Sequence, residues 1–165
     1  MLTSKAKYGL RAMIDLAKQA SSGPRLPVFI ADVAARQDIP RRFLENILLE
    51  LRKHGLVVSH RGKSGGYALA RTPDLITFAD IIRAIDGPLA LTPCTSRTAY
   101  RRCDDCKDEA ACAIRRTLLK VRDASATLLE STTLAEAASL PSQFSEEDGE
   151  AGAGPSARSP EAQRS

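Results

Sequence analysis

The apolar spacing between Pro40 and Gly55 constrains this chain more than any other feature. Leu44, Ile47, Leu48 and Leu51 recur at i, i+3, i+4 and i+7, which predicts a helix from about Pro40 to His54 with one dry and one wet face. Pro40 suits the first turn, where its missing N–H is no loss, and Gly55 closes the helix. A shorter helix from Ile30 to Arg36, with Ile30, Val33 and Ala34 on one face, precedes it across the tight link Gln37-Asp38-Ile39-Pro40. The second helix carries Arg41, Arg42, Glu45 and Asn46 on its open face and N-terminal end, side chains of the kind that read base edges or phosphates. Two short helices so joined read as a helix-turn-helix.

The segment that follows strengthens this reading. Leu56 to Arg61 and Tyr67 to Ala70 have the composition of two short strands, and Gly62-Lys63-Ser64-Gly65-Gly66 supplies a turn between them. A basic hairpin directly after a helix-turn-helix is a wing, with Arg61 and Lys63 at its tip placed to reach a minor groove or the adjacent phosphates. Gly62-Lys63-Ser64 is not the end of a nucleotide phosphate loop. Val57 stands where that motif needs its first glycine, and Gly65-Gly66-Tyr67 follows where it needs a helix.

Three further helices complete the pattern. Ala6, Leu10, Met13, Ile14 and Ala17 give a first core helix from Lys5 to Ala20, ended by Ser21-Ser22-Gly23-Pro24. Thr77 caps another, with Asp80 as its capping-box partner, Phe78, Ile81, Ile82 and Ile85 on one face and Asp86-Gly87-Pro88 as its stop. Ile114, Leu118, Val121, Ala124 and Leu128 form a longer stripe reaching toward Ser131. It outlasts the core available to it, and its simplest partner is a second copy of itself.

Charge points the same way. From Met1 to Arg71 there are thirteen Lys or Arg against five Asp or Glu, from Thr72 to Leu140 nine against ten, and from Pro141 onward two against five. The net +4 of the 165-residue chain therefore hides a basic first half, which favours an anionic partner such as nucleic acid. No apolar run is long enough to span a bilayer and no apolar signal region opens the chain, so the expectation is a cytoplasmic protein with no membrane partner. No nucleophile–base pair, phosphate cradle or dinucleotide loop appears, which argues against an enzyme and against a small-molecule substrate.

All four cysteines, Cys94, Cys103, Cys106 and Cys112, fall within nineteen residues, interleaved with Arg101, Arg102, Asp104, Asp105, Lys107, Asp108 and Glu109. Solvated thiols at this density point to chemistry, and in a reducing compartment they hold a metal or sense oxidants more readily than they form structural disulfides. Zinc, an iron-sulfur cluster and a thiol switch all remain open here. Zinc is disfavoured because only Cys103-x2-Cys106 forms a close pair. A switch would use Cys103 and Cys106. His54 and His60 are poor ligand candidates, lying beside the recognition helix and in the wing.

Taken together, the strings KAKYGLRAMIDL, VAARQDIPRRFLENILLELRKHGLV, HRGKSGGYALAR and ITFADIIRAIDGP, followed by the cysteine window, resemble the Rrf-two family of bacterial winged-helix regulators. The similarity covers about Met1 to Leu134. It implies a homodimeric transcription factor, in the main a repressor, that binds a double-stranded DNA operator with a recognition helix in the major groove and a wing in the minor groove. The family's contact positions fall on Arg42, Glu45, Asn46 and Arg61, with Arg41 and Lys63 as helpers; Arg42 replaces a small hydroxyl of the cluster-regulating branch. Cluster-binding relatives use three cysteines, often with five residues between neighbours, plus a variable fourth ligand. Here Cys106-x5-Cys112 keeps one such gap, while Arg115 replaces the histidine of the cluster-regulating branch and Lys7 the carboxylate of the nitric-oxide-sensing branch. Cys103 is then the fourth ligand of a [2Fe-2S] or [4Fe-4S] cluster, through which iron-sulfur, redox, iron or nitric oxide status would be sensed. The alternative is a metal-free or zinc-bound thiol switch responding to oxidants.

The expected fold is mainly α with a small β-hairpin wing: a winged helix-turn-helix DNA-binding domain over residues 1–88, a cysteine-rich sensor loop over 89–113, a long dimerisation helix over 114–139 and a disordered tail over 140–165.

Overall fold

Helix α1 (Ser4–Ser21) is the hub of the fold, because its apolar residues fall at helical spacing on more than one side. Ala6, Leu10, Ala12, Met13, Leu16 and Ala17 are all buried, and helices α2, α3, α4 and α6 together with the hairpin pack around them. The computed structural model describes residues 2–21, 26–62 and 65–140. The chain order after α1 is α2 (Ile30–Gln37), α3 (Arg41–Lys53), β1 (Val57–His60), β2 (Gly66–Leu69), α4 (Phe78–Asp86), α5 (Ala113–Ser131) and α6 (Leu134–Ser139), with single 3-10 turns at Pro73–Leu75 and Pro93–Thr95.

The helix-turn-helix forms as its sequence predicts. Asp38 takes the left-handed conformation (φ 49°, ψ 54°), and its N–H reaches back to the Ala34 and Ala35 carbonyls to end α2, a role that aspartate tolerates better than most residues. Pro40 is the residue before α3 rather than its first turn (φ −55°, ψ 124°). The predicted stripe Leu44, Ile47, Leu48 and Leu51 is fully buried.

Strands β1 and β2 pair antiparallel, with Val57 opposite Leu69 and His60 opposite Gly66. The segment before α2 adds a one-residue third strand: Val28 and Tyr67 exchange N–H···O bonds of 2.8 Å each. Gly66 makes that junction feasible. Its φ is +147°, and a Cβ there would lie 2.3 Å from the Val28 carbonyl oxygen.

Thr77 caps α4 through the reciprocal box with Asp80, as its spacing predicts. The long C-terminal helix differs from expectation. The helical residues of 114–139 are split into α5 and α6 by Thr132-Thr133, because a bridge between Thr77 and Thr133 pulls the chain back to the domain. Phe78 N–H donates to Thr132 O at 3.0 Å and Leu134 N–H to Ile76 O at 2.9 Å, and Leu134 is completely buried. Residues 141–165, predicted as a disordered tail, lie outside the described residues.

One polar contact is buried in this core. The Asp15 carboxylate, on α1, is 4 % exposed and accepts from Arg36 Nε at 3.0 Å, from Arg36 Nη2 at 2.7 Å and from Gln37 Nε2 at 3.2 Å. This fork clamps the end of α2 onto α1, and the hydrogen bonds to Asp15 raise the Arg36 pKa above its ordinary value. Arg36→Met leaves the buried carboxylate with Gln37 Nε2 and no cation, and is expected to lower stability by about 2–3 kcal/mol, less than a fully enclosed pair because the Arg36 end is open to solvent. Urea midpoints of the two proteins measure it.

Candidate nucleic-acid interface and cysteine segment

The wet face of α3 carries the first group of predicted site residues. Arg41, Arg42, Glu45 and Asn46 are all exposed, set there by the buried stripe on the other side of the helix. Arg41 Nε donates to Glu45 Oε1 at 3.2 Å, an i,i+4 pair. Arg42 and Asn46 make no side-chain hydrogen bond or ion pair among the described residues.

The N-terminus of α3 is electrostatically unusual. It has no side-chain cap and no acidic residue in its first turn, yet it carries two arginines next to the positive end of the helix dipole. Cations there are unfavourable by about 0.3–1 kcal/mol each in the free protein. An anion such as a phosphate reverses the sign, because the unpaired first-turn N–H groups and both guanidiniums then point toward negative charge.

Arg61 is exposed at the end of β1 and also has no ion pair among the described residues. Lys63, the other predicted wing contact, lies outside the described residues. The wing is tied to the recognition helix by a bond that sequence reading missed, from Arg52 Nη1 on α3 to Ser59 Oγ on β1 at 3.0 Å. Both residues face solvent on separate elements, so no periodicity marks them as partners. Together with the Val28–Tyr67 bridge, this bond holds the wing against the helix-turn-helix, so that α3 and Arg61 keep one relative placement.

The cysteine segment starts from the 3-10 turn Pro93–Thr95. Cys94 is 7 % exposed, which corrects the expectation that all four thiols are solvated. The turn packs against α5 and draws Cys94 inward, where its sulfur lies 3.4 Å from Thr92 Oγ1. Arg101 N–H donates to Pro93 O at 3.3 Å, closing the loop and returning the chain toward Cys94. The side chain of Cys94 foremost, and then desolvation and the neighbouring Cys94, Asp105 and Cys106 charges, push the Cys103 thiol above its ordinary pKa.

Cys106 follows across a turn closed by its N–H and Cys103 O at 3.2 Å. Cys112 caps α5, its sulfur accepting from Arg115 N–H at 3.4 Å. In kind and number the four thiols fit an iron-sulfur cluster. In placement, among the described residues no three Cys, His, Asp or Glu side chains are gathered as a coordination sphere. Holding a cluster would require the four thiols to close on one another.

The segment is also fastened to the helices. Asp123 Oδ1 on α5 accepts from Arg97 Nη2 at 3.0 Å and from Arg122 Nη1 at 2.9 Å. One turn and more along, Glu130 of α5 pairs with Arg83 of α4, and α4 packs on α3.

A basic recognition helix and a wing hairpin beside it define a winged-helix protein. The chain belongs to the Rrf2 family of iron-dependent transcriptional regulators, whose pattern it matches over residues 2–139. It is 47 % identical over 134 residues to an rrf2-like HTH-type transcriptional regulator of Rhodobacter capsulatus, covering 81 % of this chain and 89 % of that one. Among solved structures it resembles CymR, the global cysteine regulator of B. subtilis, with a TM-score of 0.68 and 35 % identity over 84 % of this chain and 96 % of that one. IscR of T. potens gives a TM-score of 0.62 at 31 % identity, covering 87 % and 94 % of the two chains. These relatives are transcriptional regulators, not enzymes, and among the described residues no helix is long and apolar enough to cross a membrane.

Arg61→Ala should weaken binding to any duplex and lower the slope of log K against log salt by about 1. Arg42→Ala should weaken operator binding by about 1–3 kcal/mol if it reads a base edge, with a larger loss on operator than on unrelated DNA. Fluorescence anisotropy across a salt series measures both.

Proposed function

We propose that the chain is a homodimeric repressor that binds a two-fold operator through Arg42, Glu45, Asn46 and Arg61, with Arg41 and Lys63 assisting, and senses iron-sulfur, redox, iron or nitric oxide status through its cysteine segment. The observation that carries the DNA-binding part is the pair of arginines at an uncapped helix N-terminus, an arrangement that is unfavourable until an anion arrives. Glu45, held by Arg41 in the free protein, would become available to accept from a cytosine amino group once Arg41 turns to phosphate.

The dimer rests on α5. Ile114, Val121 and Leu128 stand seven residues apart and are 69 %, 43 % and 68 % exposed, an apolar seam on a helix whose only buried residue is Arg122. A second copy of α5 would cover this seam and set two recognition helices about one turn of duplex apart.

Cys94, Cys103, Cys106 and Cys112 would hold the cluster, which when bound supplies a group whose redox state and integrity respond to oxidants, nitric oxide and iron supply. The chain's part is mechanical. Movement of the segment would pass through Arg97 and Asp123 to α5, through Glu130 and Arg83 to α4, and so to α3.

Protein purified without oxygen is expected to absorb between about 320 and 460 nm and to bleach in air. A protein that stays colourless after attempted cluster reconstitution rejects the cluster and leaves the thiol switch. For the dimer, Val121→Asp with Leu128→Asp should halve the mass seen by sedimentation equilibrium while leaving the helical spectrum intact; an unchanged mass removes α5 from the interface.

A further inference from the structure

We infer that the cleft between α5, the loop after α4 and residues 96–98 is a binding site for a small monocarboxylate, received by the buried guanidinium of Arg122. The site itself uses no thiol and no metal; its effect on operator affinity rests on the DNA-binding reading above.

Arg122 is the residue that points to it. It is the one buried residue of α5, at 9 % exposure, and enclosing a guanidinium is costly unless its donors are matched. They are not matched here. Arg122 Nη1 lies 2.9 Å from Asp123 Oδ1, but the same oxygen accepts from Arg97 Nη2 at 3.0 Å, so one carboxylate oxygen serves two cations. Arg122 Nε is buried and has no hydrogen-bond partner among the described residues. An orphaned donor on a buried cation is rare in a folded chain and calls for an acceptor.

The cleft that Arg122 lines has room for one. Its volume is about 170 Å³, enough for roughly six to eight non-hydrogen atoms, given that a cavity of about 150 Å³ takes benzene. Arg83, Arg97 and Arg122 line it together with only two acids, Asp123 and Glu130, which leaves one positive charge uncompensated. A monoanion balances that charge, whereas a dianion is repelled by the two acids. Pro88 and Ala126 make part of the wall apolar. Ser96, itself buried, adds a hydroxyl whose oxygen accepts from Ala99 N–H at 3.0 Å and whose proton is available to a ligand. A carboxylate is the planar group that a guanidinium edge receives through two parallel hydrogen bonds. A short aliphatic carboxylate therefore matches the cleft in charge, size and shape.

The lining residues also join three elements. Arg97 belongs to the cysteine segment, Arg122 to α5, and Arg83 to α4, which packs on α3. A carboxylate on Arg122 frees Asp123 from one of its two cations and strengthens its bond to Arg97. Occupancy thereby tightens the segment against α5 and shifts operator affinity.

Calorimetric titration of the full chain tests the site, with pentanoate, the neutral isostere pentanamide and inorganic phosphate as probes. Pentanoate should bind saturably, and the amide and phosphate at least about tenfold more weakly. Arg122→Gln should weaken pentanoate by a similar factor. Ala126→Leu, which fills the cleft and keeps Arg122, should abolish binding with the helical spectrum unchanged, and it decides the matter alone if Arg122→Gln does not fold. Absence of saturable pentanoate binding, equal binding of acid and amide, tighter binding of phosphate, or pentanoate binding that survives Ala126→Leu overturns the proposal. Operator affinity is read in parallel at one salt concentration, with and without saturating pentanoate. A shifted affinity supports the coupling. Pentanoate binding with unchanged operator affinity upholds the site and rejects the coupling, while a chain that binds pentanoate but no operator rejects the DNA-binding reading instead.

Discussion

The carboxylate of Asp15 holds the DNA-reading half of this protein in place. Among the described residues it is the one acidic group enclosed within the core, and a charge there is tolerable only because three donors from the end of α2 converge on it. Apolar packing alone would let α2 slide or rotate on α1, since dispersion contacts are non-directional. The bidentate fork from Arg36 fixes both angle and register. The turn at Asp38 then delivers Pro40 and the basic first turn of α3 in one orientation, so a contact remote from the DNA face determines what that face presents.

A second constraint acts at the other end. The chain leaves the winged domain after α4, builds the cysteine segment, runs out along α5 and returns through the Thr77–Thr133 bridge. Both ends of α5 are thereby restrained, the first by the turn around Cys94 and the second by Leu134 in the core. Its middle is left with an exposed apolar seam and a row of ion pairs to the segment and to α4. Exposed ion pairs such as Arg97–Asp123 contribute little stability, typically under about 1 kcal/mol, and can therefore exchange partners without endangering the fold. That suits a joint better than a strut.

The sequence predicted the elements well because each carries a local signal. The period of Leu44, Ile47, Leu48 and Leu51, the reciprocal box of Thr77 and Asp80, and the glycines around the wing all act within a few residues and survived folding. Three features were not legible for the opposite reason. The Asp15–Arg36 fork joins residues twenty-one apart, Arg52 reaches Ser59 on another element, and the return at Thr133 needs an acceptor on Ile76 far upstream. Cys94 misled on local composition. Its polar neighbours suggested a solvated thiol, while Pro93 and the hydroxyls of Thr92 and Thr95 build a turn that packs it inward. The exposed placement of Arg41, Arg42, Glu45 and Asn46 on α3 was legible from the spacing of the buried stripe opposite them, but the inward packing of Cys94 depends on a turn that composition does not encode.

Hydrogen exchange of the full chain, with and without operator duplex, tests the central claim that α3 and the wing form the nucleic-acid face. The Arg41 and Arg42 amides make no backbone hydrogen bond among the described residues and exchange readily in the free protein, whereas Phe43 and Leu44 N–H donate to Pro40 O. The account predicts that operator DNA protects Arg41 to Leu44 and the wing strands, with little direct protection at residues 94–112. Protection along α5 or the cysteine segment, with the start of α3 exchanging as fast as before, would contradict it.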